Sequence, residues 1–250
     1  MAVYNAEAIV IRSRDFDEAD KILVFLTREE GKVQAVARGA RRPRSRYAAA
    51  GQLFTQANVA LYKGRQLDTL SQIDIVESFR HLREDLVRMA YATYVCELMD
   101  EMVKERMRVE QAYLLLLTTL HLLNAPEYQP EPVLRAYELK LLSILGFRPE
   151  FSRCIACGKE IAAGPWVRFA PGAGGVLCGE CPAEGEQVLR LSRGALETMR
   201  HLLEGDIRRV HVIKIGPELA RELDLAIGSY ISARLDRKLK SREFLNTLRF

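Results

Sequence analysis

The chain has 250 residues, 48% of them apolar and 28% charged, a composition that builds folded cores and excludes a disordered or fibrous chain. Arg12, Arg14, Asp15, Asp17, Glu18 and Asp20 stand within the first 20 residues and exclude a secretory signal, and the longest apolar stretch, Tyr113 to Leu123, is shorter than the roughly 20 residues a membrane helix needs. The modest net charge of +4 hides an asymmetry: Gly31 to Leu67 carries eight cations (Lys32, Arg38, Arg41, Arg42, Arg44, Arg46, Lys63 and Arg65) and no acid, which leaves the remainder at −4.

In chain order, residues 6–13, 20–27, 32–39, 53–62 and 67–78 are short runs rich in Val, Ile and Leu. Charged or glycine-bearing turns separate them, and KGRQ (63–66) reads as a hairpin turn. Five strands in under 80 residues predict a small barrel. The long connection between the third and fourth is where an OB-fold carries its extra helix or loop. Such a fold takes oligonucleotides on its second and third strands and on the loops after the first and fourth, so Lys63 and Arg65 fall on the expected binding side.

From residue 79 to about 146 the apolar period becomes helical. One helix follows from Leu82, Leu86, Met89, Ala90, Thr93 and Leu98, a second from VEQAYLLLLTTLHLL, and a third runs from the prolines at 130 and 132 to Gly146. Together they predict a small bundle. Ser192 is placed to cap a helix through Leu203, HVIKIG (211–216) reads as a short extended piece, and Pro217 opens a last long helix. Leu219, Leu223, Ile227, Tyr230, Ile231 and Leu235 recur on one face of that helix, which is expected to pack on the bundle. The reading is α+β and multidomain: a barrel over 1–79, a helical domain over 80–150 and 186–250, and a cysteine-bearing module over 151–185.

The cysteines carry the most specific motif. Cys154-x-x-Cys157 and Cys178-x-x-Cys181 are separated by twenty residues, the spacing of a four-thiolate zinc site, and VRFAPGAGGVLC can form a hairpin between the pairs. Four thiolates complete a tetrahedral zinc, so the expected role is structural, one ion per chain, stapling a segment too small for its own core. An iron site, a redox pair and disulfides are the alternatives. Cys96 falls in the helical region as a small buried apolar group.

The cationic window is a candidate polyanion surface. Its arginines follow a strand rather than forming a tail, and a guanidinium fork suits phosphate oxygens. Phe16, Tyr47 and Tyr62 are the few nearby aromatics that could stack a base, with core packing as the plain alternative. A grip dominated by phosphate leaves base edges free, so two strands could pair while held. The chain contains neither a phosphate-binding G-x-x-x-x-G-K-[ST] nor an H-E-x-x-H metal motif. DFDEAD (15–20) invites a nuclease reading, set against a charged turn between two strands. His81, His121, His201 and His211 sit beside no nucleophile pattern. No catalytic residue is assigned.

Taken in order, DKILVFLTREEGKVQAVARGARRPRSR, LYKGRQLDTLSQ, ELKLLSILGFRPEFSRCIACG with LCGEC, and DRKLKSREFL give the chain a resemblance, nearly end to end, to the RecO family of bacterial recombination mediators. That resemblance implies an N-terminal OB-fold, a helical domain and a zinc-ribbon-like insert. It also implies binding of single- and double-stranded DNA, annealing of complementary strands, and help in loading RecA onto DNA coated by single-strand-binding protein. The implied partners are RecR and the acidic tail of the coating protein, and the implied setting is cytoplasmic and nucleoid-associated. The family's basic surface falls on Arg38, Arg41, Arg42, Arg44 and Arg46, with Lys63 and Arg65 as neighbours. A second basic group, Arg237, Lys238, Lys240 and Arg242, matches its C-terminal motif. An RNA-binding zinc-ribbon factor of translation or transcription is the competing reading.

Overall fold

Alternation of apolar and polar residues in GKVQAVA and QANVALY places Val33, Ala35, Ala37, Val59 and Leu61 on one side of their strands, and all five are buried together. These strands belong to a set of five: β1 (Val3–Phe16), β2 (Asp20–Thr27), β3 (Gly31–Ala37), β4 (Gln56–Tyr62) and β5 (Asp68–Glu77). They close in the order β1-β2-β3-β5-β4, antiparallel throughout except for β3 beside β5. Following paired residues once around, from Val3 through Tyr62, Thr69, Val36 and Ile22, returns to Arg14 and not to Val3. The strands are therefore steeply tilted, as closure of a small barrel demands. A register shift between Val10 and Arg12 bends the long β1 so that it borders both neighbours. This is the five-stranded OB-fold. The computed structural model describes residues 2–42, 45, 47, 51–183, 185, 187–235 and 237–249.

β2 breaks the alternation. Ile22 to Leu26 are buried at every position, so both of its faces are covered. Leu23 and Phe25 fill the barrel, while Ile22, Val24 and Leu26 point outward and are buried as well. The helical part begins with α1 (Arg80–Glu84) and α2 (Leu86–Met102). The single helix expected here restarts at Asp85, whose extended backbone interrupts it and whose carboxylate accepts from the Val87 and Arg88 amides. The end of α2 and the segment after it lie across β1 and β3. Asp100 pairs with Arg12 and Lys32, Glu105 with Gln34, and the Arg106 amide donates to the Lys32 carbonyl. Gly31 (φ +71°) is required beside this segment, since a Cβ there would stand 2.2 Å from the Met107 carbonyl oxygen. α3 (Glu110–Asn124) follows. On the face where the sequence places oligonucleotide, the outward residues of β2 are buried, while Gln34 and Val36 of β3 stay half-exposed.

By its internal contacts the chain forms two units, one of residues 1–125 with 239–250 and one of residues 126–238. The three helices expected to make one bundle divide between them: α2 and α3 belong to the first, and α4 (Pro130–Ile144) to the second. The second unit adds β6 (Trp166–Ala170), β7 (Gly175–Leu177) and β8 (Leu189–Ser192), then α5 (Arg193–Glu204) and α6 (Pro217–Ser232). Ser192 caps α5 through the Ala195 amide, as the sequence predicts. Buried Arg135 of α4 meets Glu131 and Glu138 on its own helix and Asp224 on α6.

Two expectations are met only in part in this unit, the extended backbone at Ile213 and Gly216 among what holds. The piece expected to be extended at 211–216 is entered by a 3-10 turn, Ile207–Val212, because the Asp206 side chain caps the Arg208 amide and starts a turn. The last helix also stops at Ser232, short of Leu235, where Arg234 folds back to donate to the Tyr230 and Pro171 carbonyls. A separate helix, α7 (Lys240–Arg249), then joins the first unit. Its opening amides at Lys240 and Ser241 are held by Glu97 of α2.

Candidate functional site

β3 ends at Ala37, and the chain turns at once. Ala40 donates to the Ala37 carbonyl, Arg42 to Gly39 and Ser45 to Arg42, so the start of the arginine stretch is a hydrogen-bonded turn. Two further bonds tie it to the β1–β2 turn: the Arg41 amide donates to the Ala19 carbonyl and the Gly39 amide to Asp20 Oδ1 at 2.7 Å. Arg38, Arg41 and Arg42 are all exposed on this framework. Arg41 also reaches the acidic turn, with Nη1 donating to the Asp17 carbonyl and Nε 3.6 Å from Asp15. Among the described residues no carboxylate pairs with Arg38 or Arg42. Arg44 and Arg46 lie outside the described residues.

The other expected cations are placed differently. Lys32 is only 11% exposed, and its ammonium is committed to the carboxylate and carbonyl of Asp100. Lys63 and Arg65 are exposed, but they follow β4. In an up-and-down run of strands successive connections alternate between the two ends, so they leave the barrel with the β2–β3 turn, while Arg38, Arg41 and Arg42 leave it with the β1–β2 turn. The acid-free window is therefore two groups in space. Their turn is held by Asp68, buried at the start of β5, which accepts from the Gly64 amide and from Arg106 and Tyr4. Arg14, which the linear charge count passes over because acids follow it, is exposed on the outward row that runs through Ile22 and Val36.

Of the three aromatics, Tyr47 is a core residue, 7% exposed, with its hydroxyl donating to the Ser71 carbonyl at 3.0 Å. Phe16 and Tyr62 are surface residues, and Phe16 stands beside Asp20 at the arginine-bearing end. Of the four DFDEAD carboxylates, Asp15 faces Lys21 and Arg41 and Asp20 caps Gly39, and the residues between them turn from β1 to β2. This is the charged turn of the plain reading. His121 and His211 are in edge contact with Phe79 and Tyr128. In the second basic group, Lys238 and Lys240 are exposed beside the start of α7.

In the second unit the four cysteines converge. Their sulfurs all lie within 4.8 Å of one another, and Cys157 and Cys178 are 3.8 Å apart. A tetrahedral ion with metal–sulfur bonds of about 2.3 Å needs sulfurs about 3.8 Å apart, so this cluster could hold a metal ion. Among the described residues it is the one grouping of Cys, His, Asp and Glu close enough to do so. The first pair sits on a tight loop closed by Gly158 donating to the Cys154 carbonyl, with Gly158 at φ +73°. The second follows the β6–β7 hairpin, and Arg168 of β6 holds it by donating to the Cys178 and Cys181 carbonyls, both at 2.8 Å. Lys159 and Glu180 join the two loops at 2.9 Å. Burial opposes ionisation of the Cys154 thiol, but the Cys178, Cys157 and Ala156 amides outweigh it and bring its pKa down to about 6. Cys178 is lowered too, by the Cys181 and Glu180 amides, whereas the Cys181 thiol is pushed up to about 12 by its hydrogen bonds with Cys178 and Cys157, so the loops favour two of the thiolates and oppose a third. Cys96, in α2, is fully buried and its thiol is pushed up by that burial.

The chain is matched by two family models in sequence. One described as Recombination protein O N terminal covers residues 1–79, and one described as Recombination protein O C terminal covers residues 83–243. Its relatives include three proteins named DNA repair protein RecO. That of Symbiobacterium thermophilum is 64% identical over 250 residues, covering all of this chain and 99% of the relative. That of Desulforamulus reducens is 37% identical, covering 99% and 96%, and that of Pelotomaculum thermopropionicum 38% identical, covering 98% and 94%. Ordered barrel, helical body and cysteine module all fall within these matches, and the chain belongs to the RecO family of DNA repair proteins.

Proposed function

We propose that the protein is a non-enzymatic recombination mediator. In this reading it binds single- and double-stranded DNA, anneals complementary strands and, with RecR, helps load RecA onto DNA coated by single-strand-binding protein, whose acidic tail is a further partner. It works in the cytoplasm, on the nucleoid. The observation that carries the reading is the turn after β3: exposed Arg38, Arg41 and Arg42 on a backbone fixed by five hydrogen bonds, two of them to the β1–β2 turn. Preset guanidinium forks suit phosphate oxygens. With Ile22, Val24 and Leu26 buried on the outer side of β2, DNA meets the barrel at this end, on the arginine turn and Arg14, and Phe16 is the aromatic within reach of a base. Arg44 and Arg46 extend the same grip. Lys63 and Arg65 serve a second stretch of backbone, and Lys32 serves the fold through Asp100.

Contacts to phosphate leave Watson–Crick edges open, so a held strand can pair with its complement and no bond need be cut. The cysteine cluster takes one zinc ion in this reading. Four thiolates leave it no open coordination position, so the ion staples the module and supplies no Lewis acid. Barrel, helical body and cysteine module act as three parts, over 1–79, 80–150 with 186–250, and 151–185. Competition binding tests the reading: single-stranded DNA should compete at least as well as structured RNA for the protein, and annealing should proceed without nucleotide or magnesium. Preference for structured RNA would replace this reading with that of an RNA-binding zinc-ribbon factor.

A further inference from the structure

The chain has a single tryptophan, and it is not in a core. On β6, Val167 and Phe169 face inward and are buried, with Phe169 stacked on Tyr230. Strand alternation turns Trp166 and Arg168 to the opposite face. There Trp166 is 50% exposed, and the Arg190 guanidinium of β8 lies 4.5 Å from its ring centre. Arg190 is paired directly with Arg168 across the strands, a like-charge neighbour that costs stability. Arg168 Nη1 donates to two carbonyls of the second cysteine loop, and among the described residues no carboxylate pairs with Arg190. The sheet thus presents a half-exposed indole with a guanidinium over it that, among the described residues, pairs with no carboxylate, on a support held by the cysteine loops.

We infer that Trp166 and Arg190 form a second nucleic-acid contact, which takes one unpaired nucleotide of a single strand: the base stacks on the indole and the phosphate meets the guanidinium. This rests on the proposed DNA-binding function but uses a different surface. An unpaired nucleotide is the ligand that uses both groups, since it brings a π-face and a negative charge within one residue. An acidic peptide would satisfy Arg190 and leave the indole unused. Duplex DNA keeps its bases stacked inside and would leave the indole unused as well.

The sole tryptophan makes the test direct. The zinc-loaded full chain is titrated with a dye-labelled oligodeoxythymidine, reading dye anisotropy and indole emission together. Emission should be quenched along the same curve as the anisotropy rise. Trp166→Ala and Arg190→Ala should each weaken single-strand binding, Trp166→Ala by at least about fivefold on the scale of base–aromatic stacking. Duplex affinity and bound zinc should stay unchanged. Binding with unaltered emission and wild-type affinity in both variants overturns the inference, as does an equal loss on duplex, or quenching by polyglutamate in place of the oligonucleotide. The barrel reading fails separately: quenching that persists while Arg41→Ala/Arg42→Ala binds as wild type removes the arginine turn and leaves this contact standing. Absence of any oligonucleotide binding removes both.

Discussion

The barrel and the cysteine module are both small, and they are held together in opposite ways. The barrel closes its own hydrogen bonding, leaves no strand edge, and gathers fourteen buried residues into one interior. The cysteine module has a three-stranded sheet, and in the cluster around its sulfurs Cys154, Ala170 and Leu177 are buried, with Cys178 and Cys181 packed against them; Val167, Phe169 and Val176 of β6 and β7 are buried outside that cluster. So small a cluster does little to offset the conformational entropy of ordering the cysteine loops. The comparison sets apolar burial in the one against four convergent sulfurs that could hold a metal ion in the other.

Metal removal breaks the comparison most strongly. Chelation, or Cys154→Ser with Cys178→Ser, should abolish hydrogen-exchange protection across the cysteine loops and β6–β7 while β1–β5 keep theirs; structural zinc in isolated fingers is worth on the order of 10 kcal/mol. Equal loss in both regions would mean that the barrel also depends on the ion. Asp68→Ala probes the barrel from its own side. It removes the buried acceptor shared by Tyr4, Arg106 and the Gly64 amide. Arg106 is partly exposed and so partly resolvated, and the expected cost is about 2 kcal/mol in urea unfolding, with zinc content unchanged.

Two smaller effects concern the arginine turn. Arg41→Ala/Arg42→Ala should lower the log–log salt slope for single strands by about 1.4, at about 0.7 per lost phosphate contact. Asp15→Asn frees Arg41 from an exposed ion pair. It should change stability by less than about 0.5 kcal/mol and tighten single-strand binding about twofold at low salt. Weaker binding in that variant would mean that Asp15 orients Arg41 for its ligand.

Much of this was legible in the sequence because the signals were local. The C-x-x-C spacing gave the four sulfurs, alternation gave the strands, and Ser192 and Pro217 marked two helix starts. What escaped was tertiary. Asp100 reaches Arg12 and Lys32 from α2, and no local pattern tells that a cation in a basic window is already paired. A linear count of charge likewise cannot see that turns after β3 and β4 leave opposite ends of a barrel. One local clue exists: Ile22 to Leu26 is apolar without a break, which marks a strand covered on both sides and argues against an open binding face on β2. The break at Asp85 was also readable, since an aspartate immediately ahead of an apolar helical run is a ready cap.

The central claim is that arginines on an ordered turn hold DNA strands without cutting them. Its most direct test is annealing of complementary strands precoated with single-strand-binding protein, in magnesium-free buffer without nucleotide, comparing the wild type with Arg41→Ala/Arg42→Ala/Arg44→Ala. The account predicts that the wild type anneals with both strands intact and that the triple variant, fully folded and zinc-loaded, loses annealing at physiological salt. Normal annealing by the triple variant, or strand cleavage by the wild type once magnesium is added, would contradict it.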